Sequence, residues 1–227
     1  MGGTLSHRRS DFGYIRLNKR DLRAIEWIFD MGAIFEVDIP VLLSPELPIS
    51  INAARSVVRR WEKAGVVQAE AMLARQGRLV RLTATGMLLM TEHGGGADVR
   101  AQTSALAVHW ALASRVRLRI EEAALGAGPM RGWVSERQWR LDNADAVSSG
   151  DYVPHGMVLL ADGSVGAVHI AHTAVELNWL QSQLAEISRN HPRIVIAVPP
   201  DLGGREPALV LADTAAKMAV HLQFVDL

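Results

Sequence analysis

The chain has 227 residues, of which 49% are hydrophobic, and it contains no cysteine. This length accommodates one large or two small domains, and the lack of cysteine excludes disulfides and thiolate metal sites. Lysine plus arginine equals aspartate plus glutamate overall, but residues 1–100 carry 14 basic against 11 acidic side chains, or +3, and residues 101–227 carry 10 against 13, or −3. No signal peptide or membrane-length apolar run is visible, so we expect a cytoplasmic protein without a membrane partner.

The chain begins with a stretch that we expect to be flexible, followed by two predicted helices. Residues 1–17 are interpreted as an N-terminal arm, because chain termini are the usual sites of disorder. Asn18 is a favourable N-cap for a first helix over residues 19–31. A second short helix is predicted over residues 35–43, with Pro40 in its first turn.

The stretch from residue 48 to residue 67 predicts a third helix with two different faces. Ser50 is its N-cap, Gly65 ends it, and an apolar stripe at helical spacing predicts the buried face. The opposite face is polar and basic, with one further arginine on its flank: Asn52, Arg55, Ser56, Arg59 and Lys63, then Arg60. Arginine and asparagine read guanine and adenine edges in the major groove. A solvated basic surface helix is the alternative.

A β-hairpin is predicted after this helix, from strands at residues 66–73 and 77–82 around a turn at residues 74–77. A short helix over residues 83–90 closes the region. The hairpin carries further polar and basic side chains suited to phosphates or the minor groove: Arg75, Gln76, Arg78 and Arg81.

Three helices followed by a hairpin are the order of a winged helix-turn-helix domain. Ser-Val-Val-Arg-Arg-Trp-Glu-Lys-Ala-Gly-Val-Val, followed by Gly-Arg-Leu-Val-Arg-Leu-Thr-Ala-Thr-Gly, resembles the bacterial winged-helix pattern over residues 18–93. The resemblance implies double-stranded DNA as the partner. We therefore name eleven candidate DNA-binding residues: Ser50, Asn52, Arg55, Ser56, Arg59, Arg60, Lys63, Arg75, Gln76, Arg78 and Arg81. A winged-helix fold kept as a protein-contact module is the alternative.

A glycine-rich linker at residues 94–102 separates this domain from a second one at residues 103–227. We expect the second domain to be a small α/β sandwich with a mixed sheet, which makes the chain α+β or α/β overall. Its long first helix suits dimerisation or burial in its own domain, and residues 142–151 are predicted to form a loop. The other predicted elements are strands at 157–160, 165–171, 193–198 and 222–225, a helix after a capping box at Thr173 and Glu176, and a helix at 207–220.

A second resemblance rests on Trp133-Val-Ser-Glu-Arg, on Tyr152-Val-Pro-His-Gly-Met-Val and on the stretch from Gly163 to Thr173. These motifs resemble the replication-relaxation family of actinobacterial plasmids, phages and integrative elements. That family joins a winged helix to a restriction-endonuclease-like domain. The resemblance implies that three metal-binding carboxylate positions are occupied here by His155, His169 and Ala171. Without hard oxygen ligands, a magnesium-dependent nuclease lacks its ion, so we expect a degenerate nuclease-like domain that is not an enzyme.

A histidine metal site is the alternative for the same region, with His155, His169 and His172 as ligands. Two arguments oppose it: residues 169 and 172 of one strand point to opposite faces, and no carboxylate is placed to help. We therefore predict no metal and no cofactor, and interpret the histidines as residues left where carboxylates once stood.

These observations predict a sequence-specific double-stranded DNA-binding protein. We expect a homodimer, since one winged helix reads few base pairs. The first choice is a bacterial transcriptional regulator, a repressor in a phage or mobile element, that is nucleoid-associated when DNA-bound. The alternatives are a replication or plasmid-maintenance initiator that binds origin repeats, and a divergent metal-dependent nuclease.

Overall fold

The computed structural model describes residues 16–71, 77–92, 104–123 and 128–227. It is a mixed α+β structure with one three-stranded and one five-stranded sheet, which agrees with the expected fold class at this level. Within the described ranges, no helix is both long and apolar enough to cross a bilayer. The proposed linker at residues 94–102 and nearly all of the proposed arm at residues 1–17 lie outside these ranges.

Four helices and a three-stranded sheet make up the first part of the chain. The elements are α1 (Lys19–Met31), β1 (Ala33–Phe35), a 3₁₀ turn (Glu36–Asp38), α2 (Ile39–Leu43), α3 (Ile51–Lys63), β2 (Val67–Ala71), β3 (Arg78–Leu82) and α4 (Ala84–Glu92). The sheet is antiparallel with β3 in the centre, so that β1 and β2 are its edges.

Local capping signals explain where the two principal helices of this part begin. The Asn18 side chain accepts a hydrogen bond from the Asp21 backbone N–H, and the Asp21 carboxylate accepts one from the Asn18 N–H, each at 2.9 Å. Ser50 likewise caps α3 by accepting from the Ala53 N–H at 3.2 Å. Both N-caps are confirmed, because side-chain oxygens satisfy backbone donors that a first helical turn leaves unpaired.

The predicted second helix over residues 35–43 is wrong in its first half. Phe35 ends strand β1 and pairs with Leu79 of β3, and a 3₁₀ turn separates that strand from α2. All three residues of β1 are buried, and a short apolar run of this kind does not distinguish strand from helix by its period. Pro40 does lie in the first turn of α2, as expected.

The second part contains α5 (Ser104–Ala123) and a five-stranded sheet with helices. The elements that follow α5 are β4 (Met130–Ser135), α6 (Glu136–Asp142), α7 (Ala144–Ser149), β5 (Gly156–Leu160), β6 (Val165–Ile170), α8 (Ala174–Asn190), β7 (Arg193–Val198), α9 (Pro200–Gly203), α10 (Glu206–Lys217) and β8 (His221–Asp226). The strands lie in sequence order, antiparallel from β4 to β6 and parallel from β6 to β8.

The predicted loop over residues 142–151 is wrong, because α7 occupies most of it and α6 ends at its start. Helix α6 begins before this stretch, where Ser135 caps it by accepting a hydrogen bond from the Gln138 N–H at 3.3 Å. A one-turn helix, α9, follows strand β7. The capping box of Thr173 and Glu176 at the start of α8 is confirmed.

Helix α5 packs against both parts of the structure. Ala107 and Ala111 lie in one core cluster with Phe35 and Leu79, while Val116 and other α5 residues lie in a cluster with the five-stranded sheet. The Ser114 hydroxyl, fully buried, donates to the Ala33 carbonyl at 2.6 Å. The broad apolar face of this helix is therefore used against two sheets.

Candidate functional site

Helix α3 is held by a completely buried apolar face. Ala54, Val58 and Trp61 are each 0% exposed, and Val57 lies beside them in the same core cluster. The Trp61 indole N–H donates to the Asp21 carboxylate of α1 at 3.1 Å. Burying these side chains fixes the rotation of the helix and thereby decides which residues face solvent.

The opposite side of α3 is exposed over its whole length, and we call it the α3 polar face. Five residues form it: Asn52, Arg55, Ser56, Arg59 and Lys63. The Ser56 hydroxyl donates to the Asn52 carbonyl at 3.0 Å, and the Asn52 side chain forms no hydrogen bond with any described residue. Neither Arg59 nor Lys63 forms an ion pair with any residue that the structure describes.

Arg60, on the flank of α3, is engaged in a structural contact. Its guanidinium forms an ion pair with Asp21, whose side chain is 0% exposed. The same carboxylate accepts from Trp61 and from the Asn18 backbone, so it is saturated with donors. Arg60 thus fastens α3 to α1, and its guanidinium is committed before any ligand arrives.

Arg78 is also committed, at the junction of β3, the 3₁₀ turn and α3. It donates to the buried Glu36 carboxylate at 2.7 and 3.1 Å, and to Glu62 of α3 at 3.0 and 3.1 Å. The hydrogen bonds to Glu36 raise the pKa of Arg78 above its usual range despite partial burial. Arg55 of the α3 polar face lies 3.8 Å from the same Glu36 carboxylate but remains half exposed.

The remaining predicted DNA-binding residues divide into three cases. Arg81 forms an ion pair with Glu70 across the hairpin, where the two strands pair. Arg75 and Gln76 lie outside the described residues. Ser50 is exposed, but its hydroxyl is occupied as the N-cap of α3.

The second candidate site is a cluster of histidines at the end of the five-stranded sheet. The rings of His155 and His169 stack with their centroids 4.3 Å apart, and His109 of α5 meets His155 edge-on at 4.4 Å. The Trp179 ring of α8 also stacks with His169, with the ring centroids 5.8 Å apart, and the Tyr152 hydroxyl lies 3.3 Å from His169 Nδ1. These five residues are called the histidine cluster.

A carboxylate lies beside this cluster, although the histidine that it contacts, His109, was not among the three considered as metal ligands. Glu136, at the first position of α6, lies 2.8 Å from His109 Nε2 and is 7% exposed. Arg140 donates to the other oxygen of the same carboxylate at 2.8 Å. The Trp133-to-Arg137 motif contained this glutamate, but its meeting with His109, 27 positions earlier, depends on how α5 packs against the sheet.

The imidazoles of His155 and His169 have lowered pKa values, which favour their neutral forms. Burial, followed by the neighbouring histidines, lowers the pKa of His155 from 6.5 to about 2 and that of His169 to about 4. Burial raises the pKa of Glu136, but hydrogen bonds from His109 and Arg140 outweigh it and lower the pKa. The cluster therefore contains the neutral rings of His155 and His169, and beside it lies the ionised carboxylate of Glu136, whose two oxygens are bound by His109 and Arg140.

The ring nitrogens of the histidine cluster bear on the alternative of a metal site. The Ile170 backbone N–H donates to His155 Nδ1 at 3.0 Å, which occupies the lone pair of that nitrogen and leaves the proton on Nε2 when the ring is neutral. In the part of the chain that the structure describes, no three histidines or carboxylates are arranged to hold a metal ion. His172 follows the end of β6 and is exposed, and Ala171 is fully buried.

Comparison of the chain with protein-family models, with curated proteins and with solved structures gave no match.

Proposed function

We propose that this chain is a sequence-specific double-stranded DNA-binding protein that regulates transcription, as a repressor in a bacterial phage or mobile element. The α3 polar face is the reading surface in this proposal, and the protein acts as a homodimer on cytoplasmic, nucleoid DNA. Its second part serves as a nuclease-like scaffold without nuclease activity.

The α3 polar face is the observation that carries this proposal. Asparagine and arginine supply the donor and acceptor pairs that recognise adenine and guanine edges, and lysine supplies a phosphate contact. These side chains project from a helix whose other face is fixed by Trp61 and Val58, so the position and rotation of the helix that presents them are set before binding. A preorganised surface loses less entropy when it meets DNA.

The arrangement of the first part supports the same proposal. Residues 19–82 run helix, strand, helix, helix, strand, strand, with β3 between β1 and β2. This order resembles a winged helix-turn-helix domain, in which the equivalent of α3 enters the major groove. Arg78 joins β3 to both Glu36 and Glu62, so the hairpin and α3 are expected to approach DNA as one body.

The histidine cluster supports the absence of nuclease chemistry. The resemblance places two carboxylate positions at His155 and His169, and these rings do come together in the fold. Neither supplies the hard oxygen ligand that Mg²⁺ prefers. Glu136 is the carboxylate in contact with this cluster, and His109 and Arg140 already bind both of its oxygens.

Selection of bound duplexes from a random double-stranded library tests the proposal. We expect enrichment of one short motif, recovered as a repeat with spacing set by a dimer. Footprinting on DNA flanking the gene then separates a regulator, which covers promoters, from an initiator, which covers clustered origin repeats. Recovery of unenriched library DNA would contradict sequence-specific binding.

A further inference from the structure

A cavity of about 280 Å³ opens between α1, the C-terminal end of α2 and the C-terminal half of α5. It shares no residue with the α3 polar face or with the histidine cluster. Leu42 and Leu43 come from α2, Pro45 from the loop after it, and Leu118 from α5. The cavity is therefore built from three separate elements of the chain.

One stripe of α1 lines the cavity. Arg20, Arg23 and Trp27 occupy positions i, i+3 and i+7, which places them on one side of the helix with Ala24 between them. Both arginines are exposed, and neither forms an ion pair or a hydrogen bond with any described residue. Two guanidinium groups one helical turn apart thus stand at the cavity with their donors free.

The interior of the cavity is apolar. Leu43 and Leu118 are each 6% exposed and Ala24 is 3% exposed, so the cavity reaches down to the core of the first part. The Trp27 indole nitrogen is buried and finds no hydrogen-bond partner among the described residues. The same holds for other buried nitrogens far from this cavity, so the indole N–H serves here as a probe of what enters the cavity.

Glu121 is the acidic residue on the wall of the cavity, and it does not neutralise the two arginines. Its carboxylate accepts from Arg117 at 2.9 Å, and Arg117 also donates to Asp30 at 2.7 Å. The same Arg117 guanidinium covers the Trp27 ring at 4.9 Å. Glu121 is thereby paired with Arg117, whereas Arg20 and Arg23 have no ion-pair partner among the described residues.

We propose that this cavity binds a small organic anion, with its carboxylate or phosphate head between Arg20 and Arg23 and its apolar body against Leu43 and Leu118. Guanidinium groups bind either head through paired hydrogen bonds. Sites for drug-sized ligands measure roughly 300–1,000 Å³, so this cavity suits a compact ligand. The proposal does not depend on DNA binding.

Isothermal titration of the full chain with octanoate, octyl phosphate and 1-octanol tests this site. The two anions share a chain length with the neutral alcohol, so their comparison isolates the head group. We expect at least one anion to bind at least tenfold more tightly than octanol. The comparison of octanoate with octyl phosphate decides which head the arginines prefer.

The double variant Arg20→Gln/Arg23→Gln should weaken binding of the preferred anion at least tenfold. The matched control Arg205→Gln/Lys217→Gln removes the same charge from exposed sites at the two ends of α10 and should bind as the parent protein does. The indole N–H resonance of Trp27, assigned by its loss in Trp27→Phe, should shift on titration.

Three results would overturn the proposal: no binding of either anion, equal binding of octanol, or undiminished binding by the Arg20/Arg23 variant. If the Arg20→Gln/Arg23→Gln variant binds both anions as tightly as the parent protein does but binds DNA more weakly, the small-anion site is refuted. The two arginines are then contacts to DNA phosphates. An Arg59→Gln variant separates the two functions, because it should keep anion binding whatever happens to DNA.

Discussion

The Arg60 guanidinium of α3 and the fully buried Asp21 carboxylate of α1 form an ion pair, and Trp61 donates to the same carboxylate. Through this carboxylate, the first helix determines how the α3 polar face is presented. This carboxylate also holds Arg60 in an internal ion pair, whereas its neighbour Arg59 is exposed and has no ion-pair partner among the described residues. A basic side chain on a helix therefore contributes fully to a nucleic-acid-binding surface only if no acidic group of the protein already pairs with it.

Asp21→Ala should destabilise the protein by about 3 kcal/mol, because it leaves the buried Trp61 N–H without an acceptor and removes the shared partner of the Arg60 guanidinium and the Asn18 backbone N–H. Urea denaturation followed by circular dichroism measures the effect. Glu26→Ala, at an exposed position of the same helix, is the control and should stay within about 0.5 kcal/mol of the parent. Equal stability of the two variants would refute the structural role of Asp21.

Lys63→Ala should weaken DNA binding about equally for specific and non-specific sequences. If Lys63 neutralises one phosphate, the slope of log K against log salt should become shallower by about 1. Fluorescence anisotropy over a range of KCl concentrations gives this slope. Lys217→Ala, which removes an exposed lysine of α10, should leave the slope as it is in the parent protein. An unchanged slope in Lys63→Ala removes that residue from the interface.

Acid should destabilise the protein through the histidine cluster. His155 and His169 have pKa values near 2 and 4 when folded and 6.5 when exposed, so the unfolded chain binds more protons between pH 6.5 and 5. Stability is thus present above pH 6.5 and falls below it, by about 1.4 kcal/mol per pH unit for each neutral histidine. Urea midpoints at stepped pH measure this, and His169→Gln should lessen the dependence. A flat profile from pH 6.5 to 5 would contradict the burial of neutral rings.

Incubation of the protein with supercoiled plasmid and Mg²⁺, Mn²⁺ or Zn²⁺ should leave the plasmid intact, because the cluster lacks the oxygen ligands of a metal nuclease. Gel electrophoresis detects a single cut. A contaminating nuclease is excluded by testing His155→Ala and His169→Ala beside the parent. Cleavage that disappears in either variant would make the divergent-nuclease interpretation correct.

Local chemistry made the helix starts predictable, whereas tertiary contacts decided the rest. The starts of α3 and α8 could be predicted from Ser50 and from the pair Thr173 and Glu176, because a capping side chain binds backbone donors only a few residues away. Phe35 became a strand residue because β3, more than 40 positions later, supplies its partners. Its own neighbours carry no sign of that pairing.

The same distinction applies to the candidate sites. The α3 polar face followed from helical period alone, and the exposure of Asn52, Arg55 and Arg59 agrees with that prediction. The commitment of Arg78 to Glu36 and Glu62 could not be predicted, since three elements meet there. His109 contacts Glu136 and His155 because α5 packs against the five-stranded sheet, and no local pattern of the sequence predicts that meeting.

The affinity of an Arg55→Ala/Arg59→Ala variant for the duplex enriched by selection tests the central claim most directly. The control is Arg205→Ala/Lys217→Ala, which removes two positive charges far along the chain from α3. We predict that the control binds as the parent does, while the Arg55/Arg59 variant loses about 1–3 kcal/mol for each base contact removed and discriminates less between the selected duplex and a scrambled one. Unchanged affinity and discrimination in the Arg55/Arg59 variant would contradict the assignment of the α3 polar face as the reading surface.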